Sequence, residues 1–558
     1  MTAQTMAAER PKWLAGGAVV LAVVAVGFAV VQPFAVGPVG FDSAASVAFF
    51  DRIVGGQRLE AYVGTTPKPL LTFVYGLLYN VTHDWRAISW ATIGAFAVGT
   101  LLAARLIQRV AGLPAAVFAV IGLVGLSLLQ SDLILSYATP WAMVGWFAAG
   151  LLVTKPQPRF GLAGIALMLA ALARLETLAL AGCAIAALLG LWALHRWAAR
   201  DVAGRLIGRD RARRLAQSPG LPRRAWLLAL AFAALPIMLV HDGVLTADPL
   251  YWAVVSQDYS RAHPASVLSP LTLARVMVRR YDHQVVLSAL AAIGGLALLR
   301  EAIRGRQQHI VVAVGVIGLG PGVGAFLLVL AARGTYVSTR YFAAIDVAVV
   351  AAAAIGVGAV VAWLLQRSLA LRVGTAGRVT AAVALGVAAA IAARPLPAPL
   401  SSSISAAALA QRTLDHDADM SLPVIRAALD QIPRARDYPP AGVDWETGHA
   451  PPAVLLGPGL ARPRLAVDLG LPLSNVAGLG PTAVVPGPAF LGCASLVLHD
   501  RSSDLPLDGY AILEIEAPVT IGGDVLLTPL IAEPAAGYWL LKVQRSGAAA
   551  SACGEPAG

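Results

Sequence analysis

Several charged residues stand where so apolar a chain has little structural use for them. Asp42 follows the first long apolar run and opens Gly40-Phe41-Asp42-Ser43-Ala44-Ala45-Ser46-Val47-Ala48-Phe49-Phe50-Asp51-Arg52. Its spacing predicts an interfacial helix over 42–54, with Phe49, Phe50 and Ile53 on the apolar side. Asp42 then stands at the N-cap, where a carboxylate either caps the helix or does chemistry. Asp51 beside Arg52 reads more simply as a surface pair. Lys68 is the only lysine between Lys12 and Lys155, and Pro67 and Pro69 stiffen the backbone around it. A fixed ammonium at a membrane edge suits a phosphate, to which lysine acts as a point charge. The simpler reading is a snorkelling interfacial lysine. Arg174 and Glu176 lie at the end of an apolar run, where charge is costly and usually functional, though a buried pair bracing a helix end fits equally. Asp132 is a further carboxylate between apolar runs.

The elements that must position these groups are membrane helices. The 558 residues are 58% hydrophobic and 13% charged, with mean hydropathy +0.72. Soluble domains carry about 25% charged residues, so a soluble enzyme, a disordered chain and a disulfide scaffold are all excluded. Runs of about 20 apolar residues cross a bilayer. The candidates are 13–35, 87–108, 113–130, 138–154, 160–174, 177–195, 225–241, 284–299, 309–331, 342–365 and 379–393. The reading is a polytopic α-helical membrane protein with about eleven spans over 1–393. The first run is read as an anchor and not as a cleaved signal.

Charge sets the orientation. The segment 196–224 holds nine arginines against Asp201 and Asp210, and further arginines mark the junctions near 105–109, 155–159, 300–306 and 367–378. Under the positive-inside rule these are cytoplasmic. The loops 36–86, 242–283 and 332–341 are then outside, together with Asp132 and residues 174–176. Residues 394–558 carry 16 of the 31 acidic residues and 10 of the 42 basic ones, a net of −6 that leaves +17 for the rest. The pI is thus an average of a basic membrane part and an acidic tail, and it does not point to nucleic acid. The tail is read as a small, mainly β domain outside the cell membrane, helical over 406–432 and with a strand near 510–516. Cys493 and Cys553 are both in it, where a disulfide is permitted.

An acidic residue after the first span, an interfacial helix, a Gly-rich turn and Thr65-Thr66-Pro67-Lys68-Pro69-Leu70 before the next spans together resemble the GT-C glycosyltransferases. Leu172-Ala173-Arg174-Leu175-Glu176 is similar to that superfamily's Leu-x-Arg-Pro-Glu, with Leu175 in place of Pro, and Thr339-Arg340-Tyr341-Phe342 resembles its Arg-Tyr element. Gly56-Gln57-Arg58-Leu59-Glu60-Ala61 resembles actinobacterial arabinofuranosyltransferases, and mannosyltransferases are the neighbouring class. The resemblance implies a donor sugar on a polyprenyl phosphate, a glycan, lipid or protein acceptor outside the membrane, and a role in cell-envelope synthesis. It implies Asp42 as the base and Lys68, Arg340 and Arg174 as phosphate ligands. Asp51, Glu60, Asp132 and Tyr341 would line the substrate. Ser43 replaces the second acid of many members, which leaves the use of a divalent cation open. A transporter or flippase of lipid-linked material is the competing class, and paired broken helices would mark it. Only Leu319-Gly320-Pro321-Gly322 is interrupted in that way.

Overall fold

The computed structural model describes residues 39–58, 66–198, 223–262 and 267–367 (apart from 283 and 305), with shorter pieces at 384, 387, 422–423, 425–427, 455–458, 462–471, 476–479, 496–500, 518–521, 525–531 and 538–547. The apolar runs 13–35 and 379–393, most of 196–224, Glu60, most of 406–432 and 510–516, Cys493 and Cys553 lie outside the described residues.

The first helices are α1 (Phe41–Val54), α2 (Pro69–Thr82) and the long α3 (Trp85–Ala111). Asp84 caps α3 by accepting from the Arg86 amide at 2.8 Å. Then come α4 (Leu113–Gly125), α5 (Ser127–Ile134), α6 (Thr139–Val153), α7 (Phe160–Ala173) and α8 (Thr177–Ala198). A 3₁₀ stretch, Arg223–Ala233, runs into α9 (Ala234–Thr246), followed by α10 (Tyr251–Ala262), α11 (Pro270–Arg279) and α12 (Val285–Ile303). Helices α13 (Gln307–Ile317) and α14 (Val323–Ala332) are joined by a π-turn at Gly318–Gly322, and a 3₁₀ turn at Thr339–Phe342 leads into α15 (Ala343–Arg367).

Among the described residues, five helices are long and apolar enough to cross a membrane, or six if the bent pair of α4 and α5 is one span. The chain is therefore a multi-pass membrane protein, and among the described residues fewer helices are full-length spans than the nine apolar runs that fall there. The physical reason is burial by protein. Helix α4 has 13 residues and α7 has 14, about 20 Å each at 1.5 Å per residue, short of the ~30 Å hydrocarbon core. Yet nine of the 13 residues of α4 are buried among other helices, whereas α7 turns Leu162, Ile165 and Leu169 outward. Hydropathy does not separate a helix apolar all round because it faces lipid from one buried in a bundle. The interrupted segment is likewise no break. Residues Gln308–Ala332 continue as one span, and the π-turn absorbs Pro321.

Helix α15 is the central strut, with Ala343, Val347, Val350 and Ile355 in the main core. It meets α12 backbone to backbone. A Cβ at Gly294 would lie 1.9 Å from the Ala352 carbonyl oxygen, and one at Gly356 would lie 2.0 Å from that of Leu290. Only glycine permits this approach, the usual small-residue solution between membrane helices.

Residues Leu455–Arg545 contribute a six-stranded sheet and one helix. The strands are β1 (Leu455–Pro458), β2 (Val476–Leu479), β3 (Leu496–Asp500), β4 (Val519–Ile521), β5 (Val525–Ile531) and β6 (Tyr538–Arg545), in the order β2-β1-β3-β6-β5-β4. Strand β1 runs parallel to β2 and β3, and the other pairings are antiparallel. A parallel pair needs a crossover, which α16 (Arg462–Leu469) supplies between β1 and β2.

That helix docks on α1–α3. Val467 packs against the cluster of Val39, Ala44, Leu71 and Trp85. Asp468 Oδ1 accepts from the Tyr79 hydroxyl at 2.7 Å and from Trp85 Nε1 at 2.9 Å. Arg464 lies over the Trp85 ring at 5.8 Å.

Candidate active site

Loops assigned by charge to one side of the membrane converge at one end of the bundle. Helix α1 begins there because Gly40 fits between two partners. Its amide donates to the Leu135 carbonyl at 3.0 Å, and a Cβ on it would lie 2.7 Å from the Tyr137 ring. The next turn is pinned by Ser43, whose hydroxyl donates to the Ser136 carbonyl at 2.7 Å. The same carbonyl accepts from the Tyr75 hydroxyl at 2.7 Å, which in turn accepts from Trp141 Nε1 at 2.9 Å. Ser136 has φ 55°, the left-handed region, a conformation held by its surroundings.

Asp42 projects from the first turn of α1, but it is not the N-cap. Gly40 is, and no side chain caps this helix. Asp42 Oδ2 instead takes Lys68 Nζ at 3.1 Å and Arg340 Nη1 at 2.9 Å. Lys68 is the extended residue just before α2, with Pro69 opening the helix, so the two prolines hold the backbone beneath its long side chain. Arg340 enters from the 3₁₀ turn before α15, and its guanidinium stacks on Tyr137 at 4.6 Å. The side chains are 12% (Asp42), 22% (Lys68) and 39% (Arg340) exposed, so all three are reachable.

Behind them is a buried layer. Arg174 caps the end of α7 and is 8% exposed. Its Nη1 meets Asp132 Oδ2 at 3.1 Å and also Thr139, its Nη2 meets Glu176 Oε1 at 2.8 Å, and Nη2 also donates to the Arg340 carbonyl at 3.1 Å. Tyr341 packs its ring beneath the guanidinium at 5.7 Å. Asp132 is fully buried and accepts from Thr139 as well.

The structure therefore brings Asp42, Lys68 and Arg340 together and divides the other candidates. Arg174, expected as a phosphate ligand, is buried between two carboxylates and a carbonyl. Asp132, expected to line the substrate, is fully buried against Arg174. Tyr341 faces Arg174. Asp51 lies nine residues along α1, about 13 Å from Asp42 at 1.5 Å per residue, and accepts from Asn80 Nδ2 at 2.8 Å. Burial there holds its carboxyl above the ordinary range. Tyr137, Thr139 and Ser136 were not singled out in the sequence. Their only signal is a polar turn, Ser136-Tyr137-Ala138-Thr139-Pro140, between two apolar runs. In the 242–283 loop, Arg280 is tied to the bundle. It forks onto Asp346 of α15 at 3.0 and 2.6 Å, joined by the Tyr281 hydroxyl at 2.6 Å.

Two cations already share the Asp42 oxygen, which makes it a poor ligand for a divalent cation. Among the described residues no group of three or more His, Cys, Asp or Glu stands together. The arrangement suits an anion held between an ammonium and a guanidinium, with a carboxylate beside it.

No protein-family model and no curated protein matches the chain. In structure it is similar over most of its length to ArnT from Cupriavidus metallidurans, solved bound to undecaprenyl phosphate. That match has 14% identity, covers 95% of this chain and 98% of that one, and has a TM-score of 0.45. It is similar also to the Archaeoglobus fulgidus oligosaccharyltransferase, solved tethered to an acceptor peptide, at 12% identity over 87% of this chain and 69% of that one, with a TM-score of 0.49.

Proposed function

We propose that the chain is a GT-C-type glycosyltransferase that moves a sugar from a polyprenyl phosphate to an acceptor hydroxyl outside the cell membrane. One observation carries the reading. An ammonium and a guanidinium from segments 272 positions apart, Lys68 and Arg340, converge on one carboxylate at the end of a membrane bundle. Such a pair suits a phosphate as negative charge develops on it.

In this reading the bond between the sugar's anomeric carbon and the phosphate oxygen breaks, and its electron pair leaves with the phosphate. Lys68 meets the charge as a point cation, and Arg340 meets it with its planar fork. The acceptor oxygen bonds to the anomeric carbon from the opposite face, which inverts it, and its proton passes to Asp42. Arg174 keeps Arg340 in place from behind. The sheet domain stands on the same side as the site, and the arginine-rich segment 196–224 lies on the cytoplasmic side.

The test is turnover. Purified full-length protein in lipid discs should transfer radiolabelled sugar from at least one member of a panel of polyprenyl-phosphate sugars. Transport of such a lipid without transfer would replace this reading with the flippase class.

A further inference from the structure

Asp42 and a donor phosphate seek the same two cations. In the structure one oxygen of Asp42 holds both Lys68 Nζ and Arg340 Nη1. That oxygen, engaged by two cationic donors, is not open to an acceptor's proton. We infer that Asp42 is an internal competitor of the phosphate: it occupies Lys68 and Arg340 until the phosphate displaces it, and the displaced carboxylate is the competent base. This rests on the glycosyltransferase reading and concerns the regulation of the same site.

Two features make the exchange possible without collapse. Each partner has an anchor other than Asp42. Arg340 is stacked on Tyr137 and held through its carbonyl by Arg174. Lys68 stands between two prolines, and its ammonium also reaches the Thr66 carbonyl at 3.5 Å. Asp42 stays on α1 through Ser43 and Ser136. The three charged groups are also partly exposed, whereas the Arg174 layer behind them is buried.

The charge of the loaded site is then constant from donor binding to product release. Lys68 and Arg340 against Asp42 leave one positive charge, which a phosphodiester donor neutralises. On transfer Asp42 becomes neutral as it takes the acceptor's proton, and the leaving phosphate gains a second negative charge. Returning that proton to the phosphate restores the Asp42 carboxylate, which re-pairs with its cations as the monoanionic product departs. The base is thus exposed only when donor is present, and the same carboxylate drives product release.

The exchange predicts an unusual result. Removing the base should improve binding. Full-length protein in lipid discs is titrated with farnesyl phosphate, and with inorganic phosphate as a second probe, for wild type, Asp42→Asn and Asp282→Asn, an exposed carboxylate that is not one of the three. Asp42→Asn should bind farnesyl phosphate about tenfold more tightly or better, the low end for close charge pairs. Asp282→Asn should stay within about twofold, as expected of a distant screened charge. Asp42→Ser is the second variant should the first not fold, and thermal melting reports folding. Unchanged or weaker binding by the Asp42 variants overturns the inference and leaves the functional reading standing. Absence of binding in wild type and variants alike overturns both. Equal affinity for the two probes, with the Asp42 variants still tighter, keeps the exchange and overturns the lipid-linked donor.

Discussion

Arg174 holds Arg340 by its backbone, 166 positions away: Nη2 donates to the Arg340 carbonyl at 3.1 Å. A buried cation thereby fixes a reachable one, and two arginines that look alike in sequence have different work.

That difference sets the first prediction. Arg174→Met leaves Asp132 and Glu176 buried without their cation, so the protein should lose about 3–5 kcal/mol of stability, the usual cost of breaking a buried pair. Thermal melting of the purified variant checks this. A melting temperature equal to wild type would return Arg174 to the phosphate-ligand role.

Lys68→Ala and Arg340→Ala should behave otherwise. Both cations are partly exposed, so each variant should fold and melt near wild type while needing at least about tenfold more donor, the effect of losing one charge-assisted contact. Donor titration of initial rates is the measurement. Unchanged donor dependence in both would place the phosphate elsewhere.

Asp42→Asn keeps shape and removes the proton acceptor. Transfer should fall by roughly 10²–10⁴-fold, the worth of general base catalysis. Single-turnover rates at saturating donor isolate the chemical step, and near-normal transfer would assign the base to another group.

Membrane orientation has its own test. Cysteines introduced at positions 210 and 450 should be labelled by an impermeant maleimide from inside and from outside respectively. The reverse pattern would put the acidic tail in the cytoplasm and end the assignment by charge.

The converging trio was legible because each member is a charge beside an apolar run, and such charges are expensive unless used. Lys68 between its prolines carried the clearest signal. The partners were not legible. Nothing in the sequence pairs Arg174 with Asp132 across 42 positions, or Arg280 with Asp346 across 66. Tyr137 was missed because an aromatic in a turn looks like a membrane-edge belt residue, whereas here its ring is a platform for Arg340. The helical class was legible from composition, and the number of full-length spans among the described residues was not, since the short helices α4 and α6 are apolar through burial in protein. The strands were expected, but the parallel pairing of β1 with β2 and β3 depends on the crossover through α16.

Asp468 grips Tyr79 on α2 and Trp85 on α3 with a single oxygen, and Val467 beside it packs into the cluster that includes Ala44 of α1. Ala44 is two residues from Asp42. Mechanically, this makes α16 a handle on the site. Force on that short helix is delivered to the turn that carries the carboxylate. A domain attached only by a linker would transmit no such force.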